Sequence, residues 1–137
     1  MTGENEKMLQ AGLKHSKRIL VSDENTAAAV GSGELPVFAT PMLLALAEAC
    51  CCESLSGLLD EGMTSVGTAV ELRHTAATPV GLSVVCESEL TAVDGRRLVF
   101  RVSMRDDCGE VGCGTHERFV VAKDRFMEKA NRKKEQA

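Results

Sequence analysis

The sequence predicts an α+β fold in which one long apolar helix is wrapped by a curved antiparallel sheet, with a short helix at the C-terminus. Two observations predict it. Residues 42–59 form an apolar run with few charges, and residues 64–122 contain four stretches in which apolar and polar residues alternate. Such a sheet has one apolar face to cover, and an apolar helix needs burial on several sides. A sheet curled around the helix meets both needs.

The N-terminal part of the chain is polar and carries little structural signal. We predict that residues 1–16 are a polar leader and that residues 17–137 form a single domain. Residues 18–22 (RILVS) predict a short strand. Small residues dominate the connection at 23–33, which predicts a mobile or closely packed loop before the helix.

The central helix is predicted to begin at Thr40 and Pro41 and to end near residue 60. The Thr40 hydroxyl can cap free backbone N–H groups of the first turn, and Pro41 suits the first helical position because a missing N–H costs nothing there. Gly62 is a typical stop signal. The helix is apolar on nearly every side, so we expect it to be covered all round.

The sheet is predicted from alternation and from one strong turn. Asp94 and Gly95 are a hairpin signal between two of the predicted strands. After the last strand, residues 123–135 predict a basic amphipathic helix that is anchored by Phe126 and Met127. The four strands that follow the central helix are predicted at residues 64–74, 82–93, 96–105 and 110–122.

Composition excludes several classes of protein. The chain has 137 residues and a formal net charge of -4, without the clustered positive charge of a nucleic-acid-binding surface. The N-terminus has no signal-sequence pattern, and the long apolar run contains Glu48 and Glu53, so we expect no membrane association. Three of the six cysteines are adjacent on one helix and cannot form a disulfide framework. These features predict a cytoplasmic protein.

One helix and one sheet leave apolar surface and unpaired strand edges. Joining two sheets edge to edge would remove an edge from each of them. We therefore expect a homodimer, and two such dimers could associate further into a dimer of dimers.

Glu48 is the residue that fits the apolar helix least. Its neighbours at helical spacing include Leu44, Ala45 and Cys52, so it has no polar face to share. A buried carboxylate is costly unless it is paired or neutralised, and its pKa tends to rise. Glu48 is therefore a candidate functional residue, although a structural hydrogen bond or a solvent gap would also explain it. Glu53 lies on the one polar stripe and is expected to be solvated.

Thr40 and His74 are the other candidates for chemistry. Thr40 lies eight residues before Glu48, or about 12 Å along a helix axis, so the two could line one groove without touching. His74 ends the first predicted strand after the helix. Each has a simpler structural interpretation, which is helix capping for Thr40 and a bond to the backbone for His74.

Two further positions could contact a ligand. Gly67 interrupts a strand pattern, which often marks a bulge, and an N–H exposed there could stabilise an oxyanion. His116 and Arg118 share one face of the last strand, either as a surface pair or as the lining of a groove. Metal binding is not expected, because Cys108 and Cys113 lack the paired short spacings of a zinc site.

Five segments together resemble the hotdog-fold thioesterases related to fluoroacetyl-CoA thioesterase. The hotdog fold is the arrangement predicted above, a helix wrapped by a curved sheet. The resemblance covers residues 30 to about 126 and implies a catalytic set of Thr40, Glu48 and His74, with substrate contacts at Gly67 and Arg118. The segments are VGSGELPVFATP, LLALAEACC, TSVGTAVELRHTAATPVG, GRRLVF and GTHERFVV.

The resemblance implies an acyl-CoA thioesterase that needs no cofactor, since coenzyme A is part of the substrate. Glu48 would act as a nucleophile or as a general base, Thr40 would orient it or the substrate, and His74 would assist proton transfer or polarise the thioester. Residues 25–33 (NTAAAVGSG) are short and small where the fluoroacetyl-specific enzyme has a bulky aromatic lid, so we expect a short or medium acyl-CoA. The alternatives are a hotdog enoyl-CoA hydratase, whose motif is not evident, and a non-catalytic acyl-CoA-binding protein.

Overall fold

The computed structural model describes residues 8–137, in which a five-stranded antiparallel sheet packs against one long helix. The strand order is β1-β3-β4-β5-β2, so β1 and β2 form the two edges. The strands are β1 (Lys14–Leu20), β2 (Met63–His74), β3 (Ser83–Asp94), β4 (Arg97–Asp106) and β5 (Gly109–Ala122). The helices are α1 (Ala27–Val30), α2 (Thr40–Ser54), α3 (Lys123–Asn131) and α4 (Lys133–Gln136).

The four strands predicted after the central helix are present. Their boundaries differ from the prediction by about one residue. The hairpin at Asp94 and Gly95 joins β3 to β4, and Gly95 adopts a positive φ of 61° that the tight turn requires. Alternation along β4 is also confirmed, because the side chains that face α2 are fully buried or nearly so: Leu98, Phe100, Val102 and Met104. The periodicity of two therefore places one apolar face of the sheet under the helix.

The N-terminal boundaries differ from the prediction. β1 begins at Lys14, inside the stretch predicted as a leader, and not at residue 18. The first seven residues of that predicted leader lie outside the described residues. β1 pairs with β3 over its whole length, so long-range pairing extends the strand beyond its apolar residues.

Helix α2 is shorter than predicted and begins differently. It ends at Ser54, before the predicted end near residue 60, because the chain turns there and Gly57 takes a left-handed φ of 77°. The N-cap is Ala39, which makes no side-chain cap, and Thr40 is the first helical residue. The prediction that Thr40 caps the helix is therefore wrong, and its hydroxyl is available for another contact.

The expectation that α2 is covered all round is also wrong for the described chain. α2 packs mainly against β1 and β3 and buries the side that carries Leu43, Leu46 and Cys50. Pro41 and Ala45 are exposed on another side. A single curved sheet reaches only part of the circumference of the helix, so the remaining strip stays open to solvent.

The terminal helices carry their apolar side chains on the surface. Phe126 is 42 % exposed and Met127 is 50 % exposed, so the prediction that they anchor α3 is wrong within the described chain. α3 is attached mainly through the end of β5, where the backbone N–H of Lys123 donates to Gly62 O. Among residues 8–137, no helix has the length and apolar character needed to cross a membrane.

Candidate active site

Thr40 and His74 meet at the start of α2. Thr40 Oγ1 lies 2.8 Å from His74 Nδ1, although the two residues are 34 positions apart in the sequence. The contact forms because β2 runs antiparallel to α2 and ends beside the first helical turn. The other ring nitrogen, His74 Nε2, is buried and has no hydrogen-bond partner among residues 8–137. A neutral imidazole held in this way can exchange a proton with the hydroxyl and still offer Nε2 to a ligand.

A cavity of about 320 Å³ opens at the Thr40–His74 pair. Its far wall comes from the segment 25–33, through Ala27 and Ser32. That segment contains the short helix α1, in which the Thr26 hydroxyl accepts a hydrogen bond from Ala29 N. The small side chains predicted for this stretch therefore border the cavity.

Glu48 lies in a second cluster, two helical turns farther along α2. Its Oε2 atom is 3.7 Å from Arg118 Nη1 and 4.0 Å from His116 Nε2. It also lies against the backbone of Gly67, so closely that a Cβ atom at residue 67 would overlap it. The carboxylate is thus held between α2, β2 and β5.

Glu48 is partly exposed, so the expected burial is wrong and the alternative of a solvent gap beside it applies. Its side chain is 40 % exposed, because this part of α2 belongs to the strip that the sheet leaves open. The neighbouring control, Glu53, is solvated as expected at 47 % exposure, and Lys17 Nζ donates to its carboxylate over 2.5 Å. Glu48 and Glu53 are therefore exposed to a similar extent, but their neighbouring side chains differ.

Arg118 is a buried cation whose donors are nearly all used. Its Nε donates to Ser65 Oγ over 2.8 Å and Nη2 donates to Ser65 O over 3.0 Å. Nη1 lies 3.1 Å from His116 Nε2 and also faces Glu48. These contacts fix the guanidinium plane, so a positive charge stands permanently beside the Glu48 carboxylate.

Gly67 lies at a β-bulge, as its position in the strand pattern predicted. The register between β2 and β5 shifts between Gly67 and Ala69, which leaves Thr68 as the extra residue. The bulge brings the backbone of residue 67 up to the carboxylate, a distance that only a residue without a Cβ permits. Gly67 is exposed, so its backbone can be approached by a ligand.

The structure thus brings the five predicted site residues together in two groups. Thr40 pairs with His74, and Glu48 groups with Gly67 and Arg118. Within the described chain no hydrogen bond or ion pair joins Glu48 to Thr40 or His74.

Sequence reasoning left open whether His116 is a surface residue or lines a groove, and it gave Ser65 no role; both residues complete the Glu48 cluster. The sequence signal for His116 was that it shares a strand face with Arg118. That face of β5 is buried, and His116 has 0 % exposure, so the two residues are not a surface pair.

Burial lowers the pKa of His74, although a backbone hydrogen bond at Ala76 acts in the opposite direction. Burial is also the main reason why the pKa of His116 is lowered; the bond to Ala69 O raises it and the charge of Arg118 lowers it again. Both imidazoles are therefore neutral near pH 7.

This burial predicts that the free energy of unfolding falls as the pH is lowered through 6.5, the ordinary pKa of histidine. In that range the unfolded chain binds more protons than the folded chain, so acid favours unfolding. Urea unfolding from about pH 7.5 to about pH 5.5 measures the slope. The loss should be smaller in His116→Gln, which lacks one titrating ring, and identical slopes in the two proteins would contradict the prediction.

The cysteines do not form a second reactive site. All six are free, and Cys50 and Cys51 belong to α2 and are buried. A hydrogen bond with Cys86 lowers the pKa of Cys50 to about 7, and burial raises the pKa of Cys51 to about 12. No group of three or more metal-binding side chains occurs among residues 8–137.

A larger groove of about 930 Å³ lies elsewhere and contains none of the predicted site residues. It crosses β1, β3, β4 and β5, with the exposed charges of Glu87 and Arg101 and the half-buried Glu89 along its walls. Those side chains alternate with the ones buried against α2, so the groove lies mainly on the solvent face of the sheet. Its charges of both signs are typical of a solvated surface.

Known proteins resemble this chain in sequence and in structure. Residues 21–124 match the family model for fluoroacetyl-CoA-specific thioesterase. Fluoroacetyl-CoA thioesterase from Streptantibioticus cattleyicolor is 45% identical over 97 residues, which is 71% of this chain and 70% of that protein.

Two solved structures extend the likeness to the fold. A mutant of the fluoroacetyl-CoA-specific thioesterase superimposes with a TM-score of 0.86 at 36% identity, covering 93% of this chain and 99% of that chain. The same mutant in complex with fluoroacetate and CoA gives a TM-score of 0.81 at 38% identity, covering 86% of this chain and 99% of that chain. The predicted hotdog fold is confirmed by this likeness.

Proposed function

The chain belongs to the fluoroacetyl-CoA-specific thioesterase family and is an acyl-CoA thioesterase, and we propose that it cleaves short or medium acyl-CoA thioesters in the groove between α2 and β2. The observation that carries this proposal is the Glu48 carboxylate, which is accessible to solvent and stands against the Gly67 backbone beside a buried guanidinium. A carboxylate, a backbone donor and a fixed cation are the parts that acyl transfer requires.

We propose that the thioester carbonyl lies between Glu48 and Gly67. The carboxylate either takes a proton from water, whose oxygen then attacks the carbonyl carbon, or attacks that carbon itself and is released by water afterwards. In both routes the C–S bond breaks, the sulfur leaves with a proton as the CoA thiol, and the acyl group leaves as a free acid. The Gly67 N–H stabilises the negative charge that develops on the carbonyl oxygen.

Thr40 and His74 complete the proposed catalytic set. Their hydrogen bond of 2.8 Å links a hydroxyl to a neutral imidazole, and the free Nε2 of His74 can meet the substrate. We propose that the pair polarises the thioester or assists proton transfer. Arg118 holds the Glu48 carboxylate in place.

The acyl group is proposed to enter the cavity at Thr40 and His74. A volume of about 320 Å³, bordered by small residues of the segment 25–33, suits a short or medium chain. The relative from Streptantibioticus cattleyicolor is named for fluoroacetyl-CoA, and the solved mutant binds fluoroacetate and CoA. Coenzyme A is then part of the substrate, and the proposed chemistry uses no other cofactor.

We also propose that two chains form a homodimer through β2. In the part of the chain that the structure describes, this strand pairs with β5 alone, and Thr68, Ala69 and Glu71 are exposed along it, so its other edge is open to pairing. An antiparallel β2–β2 contact around a two-fold axis would set the Gly67 end of one strand towards the His74 end of the other. The Glu48 cluster of one chain would then approach the Thr40–His74 pair of the second.

Light scattering tests the dimer directly. We expect a mass in solution of twice the 14.6 kDa of the chain, or four times that value if dimers associate further. Because the edge strand offers backbone groups and little apolar area, the mass should not change between low and moderate salt. A mass of a single chain at micromolar concentration would contradict the proposal.

A thiol-release assay tests the proposed function. Acyl-CoA substrates from acetyl- to dodecanoyl-CoA, together with fluoroacetyl-CoA, are incubated with the enzyme, and the free CoA thiol is measured. We expect the highest kcat/KM for a short or medium chain, and at least about a tenfold loss of kcat in His74→Ala. His15→Ala is the matched control, since His15 lies on β1 outside the site. No release from any of these substrates would contradict the proposal.

A further inference from the structure

His116 is a fully buried histidine that the proposed chemistry does not use. It has 0 % exposure, and its ring stacks on Phe100 with the ring centroids 6.3 Å apart. Both of its nitrogens have polar neighbours, at Ala69 O and at Arg118 Nη1. A buried side chain in contact with the proposed site on two sides requires an explanation of its own.

The two contacts determine the tautomer of the ring. His116 Nδ1 lies 2.8 Å from Ala69 O, and a carbonyl oxygen can only accept, so Nδ1 carries the proton. His116 Nε2 lies 3.1 Å from Arg118 Nη1, and a guanidinium can only donate, so Nε2 carries the lone pair. A neutral ring with its proton on Nδ1 is the form that satisfies both contacts.

The ring connects the three parts of the Glu48 cluster. Through Nδ1 it holds the carbonyl of the residue that follows the β-bulge, where the register of β2 is shifted. Through Nε2 it holds the Arg118 nitrogen that faces Glu48 Oε2 at 3.7 Å. Its Cε1 atom also borders the space at Gly67, 3.0 Å from where a Cβ would stand.

We propose that His116 is a positioning residue, a neutral histidine whose Nε2 lone pair holds the Arg118 guanidinium at the Glu48 carboxylate while its Nδ1–H holds the bulge that presents Gly67. Because Nε2 accepts from Arg118, it has no proton to give to Glu48, 4.0 Å away. The ring therefore donates no hydrogen bond to the carboxylate, whose lone pairs stay available to the substrate. This inference rests on the proposed thioesterase site.

Burial and one of the three charged neighbours of the ring favour the neutral form. Arg118 and Glu117 belong to β5, and Glu48 reaches the ring from α2. Burial lowers the pKa of His116 most and the Arg118 charge lowers it further, whereas the bond to Ala69 O and the charges of Glu48 and Glu117 raise it; the net direction is downward. Protonation of Nε2 would set two cations at 3.1 Å and turn the new N–H towards Glu48.

Two amide substitutions of His116 distinguish the contact made by Nδ1 from the contact made by Nε2. In His116→Asn the amide N–H lies where Nδ1 is, so the bond to Ala69 O is kept and the acceptor for Arg118 is lost. In His116→Gln the amide oxygen reaches the place of Nε2, so the acceptor is kept and the bond to the bulge is weakened. His15→Asn on β1 is the control for the loss of a histidine away from the site.

We expect His116→Asn to lower kcat at least about tenfold with KM changed by less than about threefold, and His116→Gln to restore kcat to within about threefold of wild type. Thermal unfolding of the two variants should be similar. If both amides leave kcat unchanged, or if both lower it in proportion to a loss of stability, the positioning role is overturned.

Nitrogen-15 NMR of the imidazole decides the tautomer without any reference to activity. The His116 ring should show a protonated Nδ1 and an unprotonated Nε2 at pH 7, and the Arg118 Nε–H resonance should shift in His116→Asn but not in His15→Asn. A proton on Nε2 at that pH, or an unshifted Arg118 resonance, would overturn the inference. If the thiol-release assay fails but the NMR result is as expected, the proposed function is rejected, while the contacts of His116 with Ala69 and Arg118 are confirmed.

Discussion

Replacing Glu48 with glutamine is expected to lower kcat by about 10² to 10⁴-fold and to leave the fold intact. The amide has nearly the same shape as the carboxylate, but it can neither take a proton from water nor attack a thioester. Its side chain is 40 % exposed at this position, so the neutral amide leaves no buried group without a partner. Thiol release at saturating acyl-CoA gives kcat, and circular dichroism verifies the fold.

Glu53→Gln is the matched control for Glu48→Gln. Glu53 lies on the same helix and is 47 % exposed, but its partners are Lys17 and His15 on β1. The ion pair with Lys17 is a surface contact, so its loss should cost little stability, and kcat should stay within about twofold of wild type. Equal turnover in Glu48→Gln and wild type, or equal losses in the two variants, would contradict a catalytic role for Glu48.

Gly67→Ala is expected to lower kcat at least about 100-fold while changing the free energy of unfolding by less than about 1 kcal/mol. Gly67 is not among the glycines with a positive φ, so alanine fits the backbone. The new Cβ would overlap Glu48 Oε2, which is the far end of a flexible side chain and can move away. The carboxylate would then leave Arg118 and the carbonyl site, although every catalytic group is still present.

Measurement of kcat and of urea unfolding on the same preparation tests this separation of activity from stability. Thr68→Ala, at the next position of the bulge, is the control, because the Thr68 hydroxyl donates to Glu117 O and not to the Glu48 cluster. It should leave kcat within about twofold of wild type. Undiminished turnover in Gly67→Ala would show that the close approach of Gly67 to Glu48 has no part in catalysis.

The sheet could be predicted well from the sequence because alternation and turn chemistry are local. The hairpin at Asp94 and Gly95 and the bulge at Gly67 each depend on one glycine in a strand pattern. The end of α2 depends instead on where the chain turns to reach β2. Leu55, Leu58 and Leu59 are apolar because they pack on the core and not because they are helical, so composition extended the predicted helix too far.

The grouping of the site residues could not be predicted from spacing alone. Thr40 meets His74 and Glu48 meets Gly67 because β2 runs antiparallel to α2 in one register, and that register is set by the packing of the whole sheet. The sequence also could not show which side of α2 the sheet covers. Glu48 was therefore predicted to be buried, whereas it lies on the open strip.

His116 shows what side-chain geometry adds to a sequence pattern. The alternation of β5 places His116 and Arg118 on one face, but it does not tell whether that face is buried or exposed. The structure places both side chains inside, with 0 % and 6 % exposure, and joins them to Ala69 and Ser65. Only those contacts distinguish a buried network beside Glu48 from a pair of surface charges.

The most direct test of the proposed site is a crystal structure of Glu48→Gln bound to an acyl-CoA that the wild-type enzyme hydrolyses. We predict that the thioester carbonyl oxygen lies within hydrogen-bond distance of Gly67 N, with its carbon next to the side chain of residue 48 and the acyl chain towards Thr40 and His74. A thioester bound instead in the large groove across β1, β3, β4 and β5 would contradict the assignment of the site.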